Sequence, residues 1–97
     1  LKTFDYAMAN SIFTHLTADD ISLCFSSLIE KTHASSKFYF TFFEGDSKKN
    51  PVSASHANLG WKYSIEELRS FADGWRLNYI GDWKHPRNQM IVEAIPL

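Results

Sequence analysis

A chain of 97 residues, 44% of them hydrophobic, has material for one domain with one core, near the lower end of what folds alone. The net charge is −1 with both signs interspersed, and basic residues cluster nowhere beyond Lys48-Lys49, so the electrostatic footprint of a DNA- or RNA-binding protein is missing. No apolar run reaches the length of a membrane span and the N-terminus lacks a signal-peptide pattern, so no membrane partner is expected.

Residues 4–9 form the first predicted strand, with Phe4, Tyr6 and Met8 on one face and Ala7 and Ala9 on the other. Small residues on one side imply that something approaches that face closely. A polar stretch through Asn10 and Ser11 follows. Thr17 then reads as a helix N-cap, with Asp19 and Asp20 in the first turn facing the positive end of the macrodipole. Ile21, Cys24, Phe25, Leu28 and Ile29 keep the i, i+3, i+4 spacing of an amphipathic helix, and Lys31 and His33 stand near its end.

Residues 37–44 (KFYFTFFE) are apolar on both faces, with Phe38, Phe40 and Phe42 on one side and Tyr39 and Phe43 on the other. A strand of that kind belongs in the middle of a sheet with cover above and below. Residues 45–60 read as a long polar loop, broken by Pro51. Ser64-Ile65-Glu66-Glu67 is a capping box, and Ile65, Leu68, Phe71 and Ala72 make the buried stripe of a second helix that Asp73-Gly74 ends. Residues 75–80 and 89–95 are the last two strands, joined by the connection 81–88.

Strand, helix, strand, helix, strand, strand is an α/β order. The strand–helix–strand units predict parallel pairing through right-handed crossovers, and the closing hairpin must add an antiparallel strand. The expectation is a mixed sheet of about four strands with both helices on one face. The aromatic row on the other face of residues 37–44 then lacks cover, and the first strand is an open edge.

Cys24 is the lone cysteine and falls on the helix stripe, so it reads as a small buried residue rather than a nucleophile; a lone thiol fits a reducing, cytoplasmic compartment. His15, His33, His56 and His85 show no metal-ligand spacing, and no metal is expected. No nucleophile–base pattern is present to make His15 or His85 the base of a hydrolase. A chain that opens at Leu1 without Met reads as a piece of something longer.

Two segments in combination, FDYAMANSIFTHL and YIGDWKHPRNQ, resemble the second half of a class I S-adenosylmethionine-dependent methyltransferase. In that resemblance residues 4–16 match the family's fourth strand and the loop after it. KFYFTFFEGD matches the fifth strand, YSIEELRSFADGW the following helix, and RLNYIGDWKHPRNQMIVEAI the last two strands. The family's glycine-rich turn has no counterpart, since Gly45, Gly60, Gly74 and Gly81 are scattered, and the carboxylate that grips the ribose would also lie upstream. The resemblance therefore implies a single incomplete domain over residues 1–97, the substrate-side half of a Rossmann-like fold.

By the same resemblance Ala9, Asn10 and Ser11 would line the cofactor, S-adenosylmethionine, which this chain alone should bind weakly or not at all. His15, Glu44, His85 and Arg87 would lie on the side of a small-molecule methyl acceptor; no catalytic residue is named. Each has an alternative reading from its local sequence. His15 can bond backbone groups where the helix begins, and Glu44 can be a solvated strand end. Pro86 and Arg87 can simply shape the turn, and Trp61 and Trp83 can be core or rim packing. The expected partner is the missing N-terminal half or a second copy. The competing function is a non-catalytic interaction module that pairs through an exposed aromatic sheet face.

Overall fold

The computed structural model describes residues 3–46 and 61–97. Lys48-Lys49, Pro51, His56 and most of the polar loop expected at 45–60 lie outside the described residues. The elements in order are β1 (Tyr6–Ala9), a 3₁₀ turn (Phe13–His15), α1 (Ala18–Ile29), β2 (Lys37–Glu44), β3 (Lys62–Tyr63), α2 (Ile65–Phe71), β4 (Trp75–Asp82) and β5 (Met90–Pro96). The main sheet runs β1-β2-β5-β4, with β3 paired separately to the upper end of β2. β1 lies parallel to β2, while β5 is antiparallel to both β2 and β4. β1, β2 and β4 thus point the same way, and their C-terminal ends form one rim.

Both helices begin where their caps dictate. Thr17 Oγ1 accepts the Asp20 N–H at 3.2 Å, satisfying one of the donors that a helix start leaves without a partner. At α2 the box is reciprocal: Glu67 N–H donates to Ser64 Oγ (3.1 Å) and Ser64 N–H donates to Glu67 Oε1 (3.0 Å). Seven residues are too few for a helix to stand alone, so α2 depends on Ile65 and Leu68, which reach the core together with Ala72 just past its end. Gly74 follows at φ +87°, the left-handed conformation that closes a helix end.

The strand register explains the core. Phe38, Phe40 and Phe42 stand opposite Ala94, Val92 and Met90 of β5, while Ala7 and Ala9 of β1 stand opposite Phe38 and Phe40. This is the face that α1 and α2 cover, and the two alanines leave room for it. Phe13 is its keystone: fully buried, its ring centroid lies 4.7 Å from Phe40, 5.6 Å from Phe25 and 6.1 Å from Phe38. Trp75 adds a polar tie, its Nε1–H donating to the Phe25 carbonyl at 3.1 Å in the buried interior. Cys24 lies half-buried against the same cluster, and burial pushes its thiol up from its ordinary value.

The opposite face is less greasy than its sequence suggests. Tyr6 and Met8 are exposed there, at 72% and 48%. Its centre is polar: Tyr39 O–H and Asn78 Nδ2–H donate to Glu93 at 2.8 and 3.2 Å, with Lys37 Nζ 3.8 Å from the same carboxylate. The Tyr39 hydrogen bond, and then that of Asn78, hold the Glu93 carboxyl below the usual carboxylate range. Thr41, next along the row, is wholly buried. This row is thus a half-buried tyrosine, a buried threonine and a half-buried phenylalanine, not a bare aromatic face.

Three local features differ from the sequence expectation. The sheet has a fifth, two-residue strand, β3, too short to carry a periodic signal. β4 continues to Asp82 through a bulge at Ile80, because Tyr79 pairs with Val92 and Gly81 with the adjacent Ile91. Lastly, α1 ends at Ile29, so Lys31 and His33 stand beyond its final turn. His33 Nε2 lies 2.7 Å from Asp5 Oδ1 instead, tying the segment before β2 to the start of β1.

Candidate functional site

The rim where β1, β2 and β4 end is where an open α/β sheet places its ligands. Four of the five described residues with positive φ lie there: Ser11 (64°), Gly81 (92°), Lys84 (62°) and Asn88 (58°). Gly81 needs that freedom within a strand, and the Tyr79 ring lies 3.4 Å from where a Cβ on it would sit. Ser11 has no such excuse. A left-handed serine directly after a strand is a disfavoured conformation that persists only where its surroundings hold it.

What holds it is a compact polar knot. The Ser11 N–H donates to Thr41 Oγ1 at 2.8 Å, the Thr41 hydroxyl donates to Gln89 Oε1 at 2.5 Å, and Gln89 Nε2–H donates back to Ser11 Oγ at 2.9 Å. Asn10 Oδ1 borders this ring, 3.4 Å from Ser11 Oγ and 3.5 Å from Thr41 Oγ1. The Thr14 hydroxyl then donates to the Ser11 carbonyl at 2.8 Å, within the 3₁₀ turn that carries Phe13 into the core. Ala9 is buried and Asn10 exposed, so the end of β1 presents a methyl group, an amide and a hydroxyl in succession.

The other side of the rim is the turn after β4. Trp83 Nε1–H donates to the Gln89 carbonyl at 3.0 Å, and its ring lies 5.5 Å from the His85 ring, tilted by 33°. His85 Nδ1 accepts the Arg87 N–H at 3.0 Å, which leaves Nε2 as the outward nitrogen. The Arg87 side chain is exposed and makes no hydrogen bond or ion pair among the described residues. Glu44 is exposed and accepts the Tyr79 hydroxyl at 2.9 Å across the start of β5. Burial, and then that hydrogen bond, push the Tyr79 phenol up from its ordinary value.

The structure therefore puts Ala9, Asn10, Ser11, Glu44, His85 and Arg87 at the ends of strands on one rim. It links Asn10 with Ser11 and, through the Arg87 N–H, Arg87 with His85, whereas Glu44 shares no hydrogen bond with His85 or Arg87 among the described residues. The backbone of His15 belongs to the 3₁₀ turn, and its side chain lies outside the described residues. Thr41, Gln89 and Tyr79 were not anticipated as site residues. Thr41 had a signal, as the one aliphatic hydroxyl in an otherwise aromatic strand, and Gln89 had one as the last residue of the HPR-N-Q turn. Trp61 is buried core, though its Nε1 finds no hydrogen-bond partner among the described residues. Among those residues no three His, Cys, Asp or Glu gather as a metal site, and no helix is long and apolar enough to cross a membrane.

No known protein-family profile matches the sequence, and no curated protein matches it either. Solved structures do. An assigned O-methyltransferase of Nostoc punctiforme superposes with a TM-score of 0.70 over 97% of this chain, at 12% identity. The fold is that of a class I methyltransferase. The magnesium protoporphyrin IX methyltransferase of Synechocystis, solved with bound SAH, matches all of this chain with a TM-score of 0.62 at 12% identity. The PH0226 protein of Pyrococcus horikoshii matches 99% of it with a TM-score of 0.66 at 14% identity. This chain spans only 32%, 47% and 53% of the Nostoc, Synechocystis and Pyrococcus chains, so the methyltransferase fold is present in part. These likenesses lend nothing to the interaction-module alternative.

Proposed function

We propose that this chain is the substrate-side half of an S-adenosylmethionine-dependent methyltransferase, acting on a small-molecule acceptor. The observation that carries the reading is the rim itself: the strand order of the methyltransferase fold, ending in a strained, hydrogen-bonded Ser11 beside Asn10. These residues fit one wall of a cofactor site. Ala9 is small enough for close approach, Asn10 offers an exposed amide, and Ser11 turns the chain away so that the strand end stays open. They do not make a second wall, because no glycine pair stands beside them to admit a nucleotide to the backbone.

When bound, S-adenosylmethionine supplies an electrophilic methyl group on a sulfonium. An acceptor that arrives protonated would have to give up its proton to a group on the rim. The protein's work in such a reaction is alignment and exclusion of water. Glu44, whose second oxygen makes no bond to Tyr79, is the rim group able to take that proton, whereas His85, with Nδ1 accepting the Arg87 N–H, carries the proton of its neutral ring on Nε2 and can donate a hydrogen bond to the acceptor from there. Arg87 is the cation available to an anionic acceptor. On its own this chain should show little or no activity, since a site with one wall forfeits most of its desolvated contact.

The same reading names two partners for the outer edge of β1, which pairs with no strand among the described residues: an N-terminal half, or a second copy of the chain. Binding of labelled S-adenosylmethionine, and methyl transfer to a panel of small acceptors, should be measured on this chain and on the chain extended upstream by its own coding sequence. Cofactor binding and transfer by the extended chain alone support the proposal. An extended chain that binds no cofactor refutes it.

A further inference from the structure

We propose that Thr41 and Gln89 are positioning residues that lock the loop after β1 to the turn between β4 and β5, so that displacement of either loop moves the other. The two loops are far apart in sequence, and in the sheet β2 lies between β1 and β5. They nevertheless meet in one ring of hydrogen bonds. Thr41, in the strand between them, takes the Ser11 N–H (2.8 Å) and gives its own proton to Gln89 Oε1 (2.5 Å). Gln89 returns a bond from Nε2 to Ser11 Oγ (2.9 Å), and its carbonyl receives the Trp83 indole N–H (3.0 Å). Residue 89 therefore touches the β1 loop with its side chain and the aromatic face of the turn with its backbone.

Three observations point to positioning rather than simple packing. Gln89 and Thr41 are 1% and 0% exposed, so their polar atoms are matched to each other and not to water. A buried polar ring is seldom the most stabilising filling for such a place, because apolar residues of the same shape carry no desolvation penalty. What a polar ring does better is direction: it specifies one orientation for each member. Here it fixes Ser11 in a conformation that a serine otherwise avoids, at φ 64°. The ring includes Ser11 of the residues read as the cofactor wall and, through the Gln89 carbonyl and Trp83, reaches the turn that carries those on the acceptor side (His85, Arg87). The inference goes beyond methyl transfer, since it holds whatever ligand the rim takes.

The test is amide exchange and NMR on the full chain. Thr41→Val keeps the shape of residue 41 and removes both its bonds; Thr41→Ser keeps the hydroxyl. In Thr41→Val the Ser11 amide should exchange at least about tenfold faster, while Leu77 and Ala94 toward the far end of the sheet change by less than about twofold. Thr41→Ser should restore Ser11. The Trp83 indole N–H resonance should move in Thr41→Val, although Thr41 and Trp83 share no hydrogen bond. Ser11→Gly relaxes the left-handed backbone and removes the acceptor of Gln89 Nε2. The Trp83 signal should move in that variant too. Unchanged Ser11 protection, uniform acceleration of all amides, or a stationary Trp83 resonance in Ser11→Gly would each overturn the proposal.

Discussion

Phe13 lies in a turn, yet its ring packs against three rings of the core, so Phe13→Ala should unfold far more than a turn. Its ring meets Phe25, Phe38 and Phe40 at centroid distances of 5.6, 6.1 and 4.7 Å, two of the three edge-on, and none of it is exposed. Truncating a buried Phe to Ala costs about 3–5 kcal/mol, the transfer of the ring plus the cavity it leaves. A domain of this size holds a net stability of about 5–15 kcal/mol. The variant should therefore lose about a fifth of its stability or more, and its melting temperature should fall by about 12 °C or more. Phe13→Leu fills most of the space and forfeits chiefly the ring-edge contacts, about 0.5–1.5 kcal/mol. Tyr6→Ala, at a side chain 72% exposed, should change stability by less than about 0.5 kcal/mol. Urea unfolding followed by tryptophan fluorescence reports all three, because Trp75 sits 5.9 Å from Phe25 in the same cluster. A Phe13→Ala loss no larger than that of Tyr6→Ala would refute the reasoning and leave the rim loop unanchored. If Phe13→Ala does not fold at all, the Leu variant still ranks the site.

Three further outcomes follow from the same structure. Burial first, and then the charges of Glu67 and Asp20, push the Tyr63 phenol up to about 12; the folded state keeps a proton that the unfolded chain releases from its ordinary 10, so stability should fall as pH rises from 10 to 12, and a Tyr63→Phe variant should show a flatter alkaline limb in pH-dependent melting. Tyr39→Phe removes the strongest support of the Glu93 carboxylate, so its carboxyl signal in an NMR titration should shift to higher pH; native Glu93, held low, adds stability above its unfolded value that is lost as pH falls through the folded one, and no change in the variant would contradict this. The outer edge of β1, unpaired among the described residues and with Tyr6 and Met8 exposed beside it, should drive self-association that light scattering detects and that Met8→Lys reduces; a monodisperse 11.2 kDa monomer at high concentration would count against it.

The sequence exposed most of the frame because its signals were periodic. The alternation Phe38-Phe40-Phe42 named the buried face, Ala7 and Ala9 named the face that receives close cover, and Ser64 with Glu67 fixed the start of α2. The site was legible only as a place. Ala9, Asn10 and Ser11 could be put at a strand end, but a left-handed serine carries no residue-type signal of the kind glycine gives. The Ser11–Thr41–Gln89 ring joins positions 78 residues apart at its widest, which no local pattern encodes. Phe13 shows the same limit from the side of the core: a single aromatic residue in a polar loop has no period, so only tertiary contact reveals that it is buried. The open face misled in the other direction. Tyr39 reads as apolar by type, whereas its hydroxyl is committed to Glu93, a partner that cross-strand register alone supplies.

The central claim is that the strand ends at residues 9–11 form one wall of a cofactor site, and ligand titration of the ¹⁵N-labelled chain tests it most directly. With S-adenosylhomocysteine as the probe, amide shifts should appear at Ala9, Asn10 and Ser11, remain in fast exchange, and fail to saturate below millimolar ligand. Saturation at micromolar ligand would contradict the one-walled site, and shifts centred on the open face around Tyr39 and Glu93 would contradict the rim.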